Sequence, residues 1–195
     1  IVGTSLFGVF LNALSGTYAY VKQHRVYFKA AIPFAIATLP GAILGSLVSD
    51  YFTGPTFSLS YGIFILIISA IMYWNSSNKK AIATNFNETL FIARKKLGII
   101  LSMFVGFISS IFGIGGGIIH VPVMIYALAF PPHMATATSH FVLAVSSFMG
   151  VTSHIFLNHI VWIPALAVGF GAVIGAQIGA RLSKKTKPRS IILLL

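Results

Sequence analysis

The chain has 195 residues, of which 57% are hydrophobic and 8% are charged, whereas soluble domains carry roughly 25% charged residues. This composition indicates a membrane protein and excludes an ordinary soluble enzyme. Cysteine is absent, which excludes disulfides, thiol catalysis and thiolate metal sites. The net charge of +11 is confined to three short patches between apolar segments, which is typical of cytoplasmic loops and argues against a nucleic-acid partner. The basic residues of the patches are Lys22, Arg25 and Lys29, then Lys79, Lys80, Arg94, Lys95 and Lys96, and finally Arg181, Lys184, Lys185, Lys187 and Arg189.

Six apolar segments follow one another along the chain. All except the fourth are close to the roughly 20 residues that a membrane-spanning helix needs. The segments are Ile1–Val21, Ala30–Ser49, Phe57–Trp74, Leu97–Phe130, Ala135–Leu157 and Trp162–Ala180. The sequence therefore predicts an all-α, polytopic membrane protein.

The chain matches itself when it is displaced by 134 positions. The pair Thr4-Ser5 then falls on Thr138-Ser139, and Gly41 falls on Gly175. We interpret residues 1–74 as a first repeat, 75–96 as a cytoplasmic linker and 97–195 as a second repeat.

Charge predicts opposite orientations for the two repeats. The loop at 22–29 is basic, whereas its equivalent in the second repeat, Asn158-His159, has no Lys or Arg. Basic loops stay in the cytoplasm, so 22–29, 75–96 and 181–189 are predicted to be cytoplasmic. The result is an inverted-topology repeat.

The fourth apolar segment contains the run F-G-I-G-G-G-I-I-H-V-P from Phe112 to Pro122. As one helix the segment would be roughly 50 Å long, well beyond a ~30 Å hydrocarbon core, and its glycines and proline break a helix. We expect a re-entrant hairpin with its glycines near mid-membrane. The alternative is two thin full spans with the glycines at the outer surface. The first repeat should have its own hairpin before Ile1, roughly forty residues upstream, and the second repeat should be truncated at its C-terminal end.

Polar groups inside the apolar segments indicate the kind of substrate. The acids are Asp50 and Glu88, both in predicted loops, so no intramembrane carboxylate is available for a cation or a proton. Glycine-rich helix ends offer free N–H groups to an anion. The sequence therefore favours a small anionic substrate over a cation. It predicts neither a cofactor nor a metal site.

The candidate substrate-binding residues are glycines, small polar side chains and one histidine. The polar residues of the two repeats form equivalent helical stripes, which fit a substrate path and helix packing about equally. The histidine fits a structural hydrogen bond, substrate contact or proton coupling. These candidates are Gly113, Gly115, Gly116, Gly117, Thr138, Ser139, Ser146, Thr4, Ser5, Asn12 and His120.

The run from Ser109 to Met124 resembles the signature of the TauE/SafE family of sulfite exporter-like permeases. In that family a G-x-G-G-G-x-x-x-V-P motif leads to a P-x-x-A-x-A-T-S motif, which is matched here by Pro132, Ala135, Ala137, Thr138 and Ser139. The resemblance implies transport of sulfite, organosulfonates or related sulfur anions across the bacterial inner membrane.

We therefore expect a secondary transporter, not an enzyme, that works by alternating access in the lipid bilayer, with a homodimer as a candidate assembly. One alternative is an intramembrane Ser/His enzyme. The adjacent Ser139 and His140 suggest it, but neighbours on a helix point about 100° apart and cannot form a nucleophile–base pair. The other alternative is a non-transporting membrane assembly subunit.

Overall fold

The computed structural model describes residues 2–51, 54–77 and 86–185. Within these ranges the regular structure is entirely helical, which confirms the predicted all-α class. The elements in chain order are α1 (Val2–Lys22), α2 (Phe28–Val48), a 3₁₀ turn (Ser49–Tyr51), α3 (Gly54–Ser77), α4 (Glu88–Phe112), α5 (Gly117–Pro122), a π-helical turn (Val123–Ala127), α6 (Pro132–Phe156) and α7 (Trp162–Lys185).

Five of the described helices, namely α2, α3, α4, α6 and α7, are long and apolar enough to cross a membrane. Helix α1 has a similar length of 21 residues but falls outside this group, since its sequence includes Thr4, Ser5 and Asn12. Residues Gly117–Ala127 form a shorter apolar helical segment. The prediction of a polytopic membrane protein is confirmed.

Two antiparallel helices, α1 and α6, cross at the centre of the bundle. Gly3 lies against His154, and Gly16 lies against His140. Helix α2 packs against α6 and α4, while α7 packs against α1. The candidate residues of α1 and α6 are therefore at the centre of the structure.

The described parts of all three basic patches lie at the same end of the bundle, which we call the basic end. Gln23 Nε2 donates to the carbonyl of Ala180 across 3.2 Å, and Lys29 forms a 2.8 Å ion pair with Glu88. The opposite end, with Val2, Gly54 and Val161, is called the neutral end. A cytoplasmic basic end remains a prediction, and residues 78–85 and 186–189 of the predicted loops lie outside the described residues.

The loop between the two helices of each repeat has the same geometry after displacement by 134 positions. Helices α1 and α6 end at equivalent positions, and α2 and α7 begin at equivalent positions. His24 and Asn158 are also equivalent, and both have a φ of 55°. The backbone conformation of this loop therefore repeats after the same 134 positions as the sequence.

Helix α4 begins at Glu88, well before the apolar segment that starts at Leu97. The side chain of Asn87 caps it by accepting a 3.1 Å hydrogen bond from Leu90 N–H, and Glu88 suits the positive end of the helix dipole. Its 25 residues give a length of about 37 Å. Hydropathy does not detect these polar first turns.

Residues Glu88 to Ala127 form a hairpin that begins at the basic end and returns to it. Arg94 Nη1 donates to the carbonyl of Ala127 across 2.7 Å and so closes the hairpin. Its arms are unequal, and the turn begins beside Val2, near the neutral end. The predicted hairpin is observed, and its first arm, α4, is itself long enough to cross a membrane. Its glycines lie between the neutral end and the middle of the bundle because the extra turns of α4 add about 14 Å. The re-entrant insertion into the membrane stays a prediction.

Candidate functional site

The turn between α4 and α5 requires glycine at several positions. Gly113 has a φ of 65° and Gly115 a φ of 67°, a left-handed conformation that residues with a Cβ rarely adopt. A Cβ on Gly116 would lie 2.6 Å from Val105 Cγ1. Gly117 differs, because its nearest neighbour would be Leu143 Cδ2 at 3.6 Å, an ordinary contact.

The turn presents several backbone N–H groups. Gly113 N–H donates to the carbonyl of Ser109, but the described part of the chain places no acceptor against the N–H groups of Gly115, Gly116 and Gly117. Such groups at the start of a helix bind anions or water. From α1, Ser5 Oγ donates to the carbonyl of Gly113 across 3.0 Å, and this bond holds the turn against α1.

His120 lies one helical turn after the glycines and is 2% exposed. Its Nε2 is 2.9 Å from Ser102 Oγ. Ser102 Oγ also lies 2.7 Å from the carbonyl of Gly98, to which it can donate. No hydrogen-bond partner for His120 Nδ1 exists among the described residues. The side chain joins α5 to α4.

The two predicted threonines lie at opposite ends of the bundle and perform the same structural task. Thr138 Oγ1 accepts a 3.1 Å hydrogen bond from Tyr27 N–H, and Thr4 Oγ1 accepts a 2.9 Å hydrogen bond from Val161 N–H. The two bonds are equivalent after displacement by 134 positions. Each hydroxyl therefore accepts a hydrogen bond from the backbone N–H of the residue just before a helix of the other repeat.

Two of the remaining predicted residues bond within their own helix. Ser139 Oγ donates to Thr136 O across 3.0 Å, and Ser146 Oγ donates to Leu143 O across 3.3 Å. Asn12 is half-buried near the middle of α1. The antiparallel crossing places Ser139 roughly 18 Å from the level of Ser5.

The predicted set therefore divides into two groups. The structure brings the four glycines of the turn together with Ser5, and His120 follows one turn later. Thr138 and Ser139 lie toward the basic end and do not complete that group. The starts of α1 and α6 do not form one small cluster, because these two helices start at opposite ends of the bundle.

Several buried hydroxyls were missed by the sequence analysis. Ser102, Ser109 and Ser110 of α4 are each at most 3% exposed. Ser110 Oγ has no hydrogen-bond partner among the described residues and lies beside Gly45 and Gly150. The signal was available, because spacings of seven and eight place all three serines on one helical face.

Comparison with known proteins gives a family. Residues 1–195 match the family model described as "Sulfite exporter TauE/SafE". The chain is 35% identical to the "Probable membrane transporter protein YunE" of Bacillus subtilis, over all of this chain and 75% of that protein. It is 28% identical to the "Probable membrane transporter protein MJ0441" of Methanocaldococcus jannaschii, over all of this chain and 73% of that protein.

A "Probable membrane transporter protein" of Xylella fastidiosa is 27% identical, over 94% of this chain and 69% of that protein. No solved structure matches.

Proposed function

We propose that this chain, which belongs to the sulfite exporter TauE/SafE family and is a multi-pass membrane transporter, moves a small sulfur oxyanion across the bacterial inner membrane. Sulfite and organosulfonates are the substrates that we favour. The observation that carries the proposal is the set of backbone N–H groups at Gly115, Gly116 and Gly117, since N–H groups at a helix start bind anions.

The charges of the chain support an anion. Glu88 lies at the basic end in its ion pair with Lys29, and Asp50 lies in the turn between α2 and α3. No carboxylate therefore lies along the membrane-spanning part of the described helices to repel an anion or to bind a cation. Lys and Arg are also absent from the glycine turn, so binding would depend on dipoles and be weak enough for release.

The arrangement of the helices supports alternating access. Inverted repeats allow a transporter to expose one site to either side when one repeat rocks against the other. Because Ser5 bonds to Gly113 O, a movement of α1 against the hairpin would act directly on the turn. A membrane potential that is negative inside would favour export of an anion.

An intramembrane enzyme is not supported. Ser139 Oγ and His140 Nδ1 both lie within 3.1 Å of the carbonyl of Thr136 and do not form a nucleophile–base pair. The family and the relatives are described as transporters. A measured flux would also exclude a non-transporting assembly subunit.

The test is flux in proteoliposomes that contain the whole protein. Sulfite, thiosulfate and a sulfonate are each offered with and without an imposed pH gradient or potential. Gly117→Ala is the informative variant, because the new methyl group fits the available space but lies beside the free N–H groups. We expect at least a tenfold loss of flux with an unchanged melting temperature.

One variant controls this experiment. Gly62→Ala on α3 adds a methyl group in open space, away from the turn. It should retain most of the flux. Wild-type flux in Gly117→Ala would remove the turn from the substrate path, and no flux of any sulfur anion by the folded wild-type protein would overturn the proposed substrate class.

A further inference from the structure

Helices α2 and α7 carry glycines at equivalent positions but differ in what covers them. On α2, Gly41 lies against the backbone of α4 at Met103 and Phe107, and Gly45 lies against Phe107 O and Ser110. Contacts this close leave no room for a Cβ at either position. This glycine seam is what allows α2 and α4 to approach each other.

The equivalent face of α7, which we call the α7 seam, consists of Gly171, Gly175 and Gly179. A Cβ at any of these glycines would meet no described atom within 4 Å. The three glycines are four residues apart, the small-xxx-small spacing at which membrane helices pack closely. A glycine on a lipid-facing helix surface contributes no such packing and weakens the helix.

The rest of the surroundings of α7 follows the internal symmetry. Helix α7 packs against α1, as α2 packs against α6, with Ser15 Oγ donating to the carbonyl of Val173 across 2.9 Å. A Cβ on Gly8 of α1 would lie 2.8 Å from Val168 Cγ1. Helix α2 also packs against α4. Among the described elements, none takes the corresponding place beside α7.

We propose that in the whole protein the α7 seam is covered by a second hairpin of the same kind as α4 and α5, from a part of the same chain outside residues 1–195. The long helix of this hairpin packs its backbone against Gly175 and Gly179, as α4 packs against Gly41 and Gly45. The relatives have room for such a hairpin, because this chain covers 75% and 73% of the two proteins from Bacillus and Methanocaldococcus.

The same symmetry predicts where the turn of the second hairpin lies. Gly113 lies beside Ser5, and the equivalent of Ser5 is Ser139. The second turn therefore lies toward the basic end, at the level of Ser139, which is itself already buried among the described residues. The transporter then has two glycine turns, one in each half of the membrane. The packing of the α7 seam does not depend on the proposed substrate.

Photo-crosslinking in the whole protein tests the proposed neighbour. A p-benzoyl-phenylalanine replaces Ala172, because its equivalent Thr38 touches α4 at Gly106. The matched control replaces Ile178, whose equivalent Leu44 is 49% exposed. We expect the probe at 172 to give an intrachain adduct with a peptide outside residues 1–195, and the probe at 178 to react with lipid.

Two other adducts would overturn the proposal. A dimer-sized adduct from position 172 would show that a second copy covers the seam, and lipid adducts alone would show that the seam faces the bilayer. Gly175→Leu provides an independent readout, since it should lower the melting temperature of the whole protein about as much as Gly41→Leu. An unchanged melting temperature in Gly175→Leu would also overturn the proposal. Neither readout requires transport, so a failed flux experiment leaves this test intact.

Discussion

The two helix pairs α1–α2 and α6–α7 differ in surroundings rather than in local structure. Their connecting loops share a left-handed residue at His24 and Asn158, and their threonines make reciprocal hydrogen bonds to the opposite loop. Yet α2 buries its glycines against α4, whereas the equivalent glycines of α7 meet no described atom within 4 Å. The two loops thus share one backbone conformation, while burial of the glycines depends on which neighbour is present.

The largest expected effect follows from a large side chain in the glycine seam between α2 and α4. Gly41→Leu would place a side chain against the backbone of Met103, and a backbone cannot move aside without displacing α4. We expect a loss of about 3 kcal/mol in the free energy of unfolding, the upper part of the range for overpacked sites. Thermal unfolding in detergent measures it. Gly62→Leu on α3, where the space is open, is the control and should change stability little.

The hairpin offers a second, asymmetric prediction. Ser102→Ala leaves both ring nitrogens of the buried His120 without a partner, which should cost about 2 kcal/mol. His120→Leu leaves Ser102 bonded to the carbonyl of Gly98, so we expect a smaller loss. The double variant should be more stable than Ser102→Ala alone. Equal losses in the two single variants would contradict this expected asymmetry.

The sequence predicted the membrane class, the 134-residue displacement and the hairpin because these depend on composition, periodicity and glycine spacing. It placed the start of α4 too late, at Leu97, since hydropathy cannot detect a polar helix start that is capped by Asn87. Ser5 and Ser139 lie toward opposite ends of the bundle, which the sequence also implies. Opposite orientations of the repeats already imply that these residues lie in opposite halves of the membrane.

Other features require tertiary structure. The hydrogen bond between Ser102 and His120 joins two arms of the hairpin, and no local pattern selects that pair. The same holds for Thr138 and Tyr27, which are far apart in the sequence. The candidate substrate-binding role of the glycine turn remains a prediction that flux must test.

The reciprocal threonine bonds allow the two repeats to be compared directly. Thr138→Val removes the acceptor for Tyr27 N–H at a fully buried site, so we expect a loss of about 1–2 kcal/mol. Thr4→Val removes the acceptor for Val161 N–H at a more exposed site, where water can replace it, so the loss should be under about 1 kcal/mol. Thermal unfolding of both variants gives the order. Thr152→Val, which breaks only a bond to its own helix, is the control.

The smallest expected effects have opposite signs at the two equivalent loop positions. His24 and Asn158 are both exposed and both left-handed, and asparagine adopts this conformation more readily than most residues. His24→Asn should therefore raise the free energy of unfolding by a few tenths of a kcal/mol, and Asn158→His should lower it by a similar amount. Unfolding of the reciprocal variants, each compared with wild type, measures both. If both substitutions shift stability in the same direction, the two loops differ in their side-chain environment despite their common backbone.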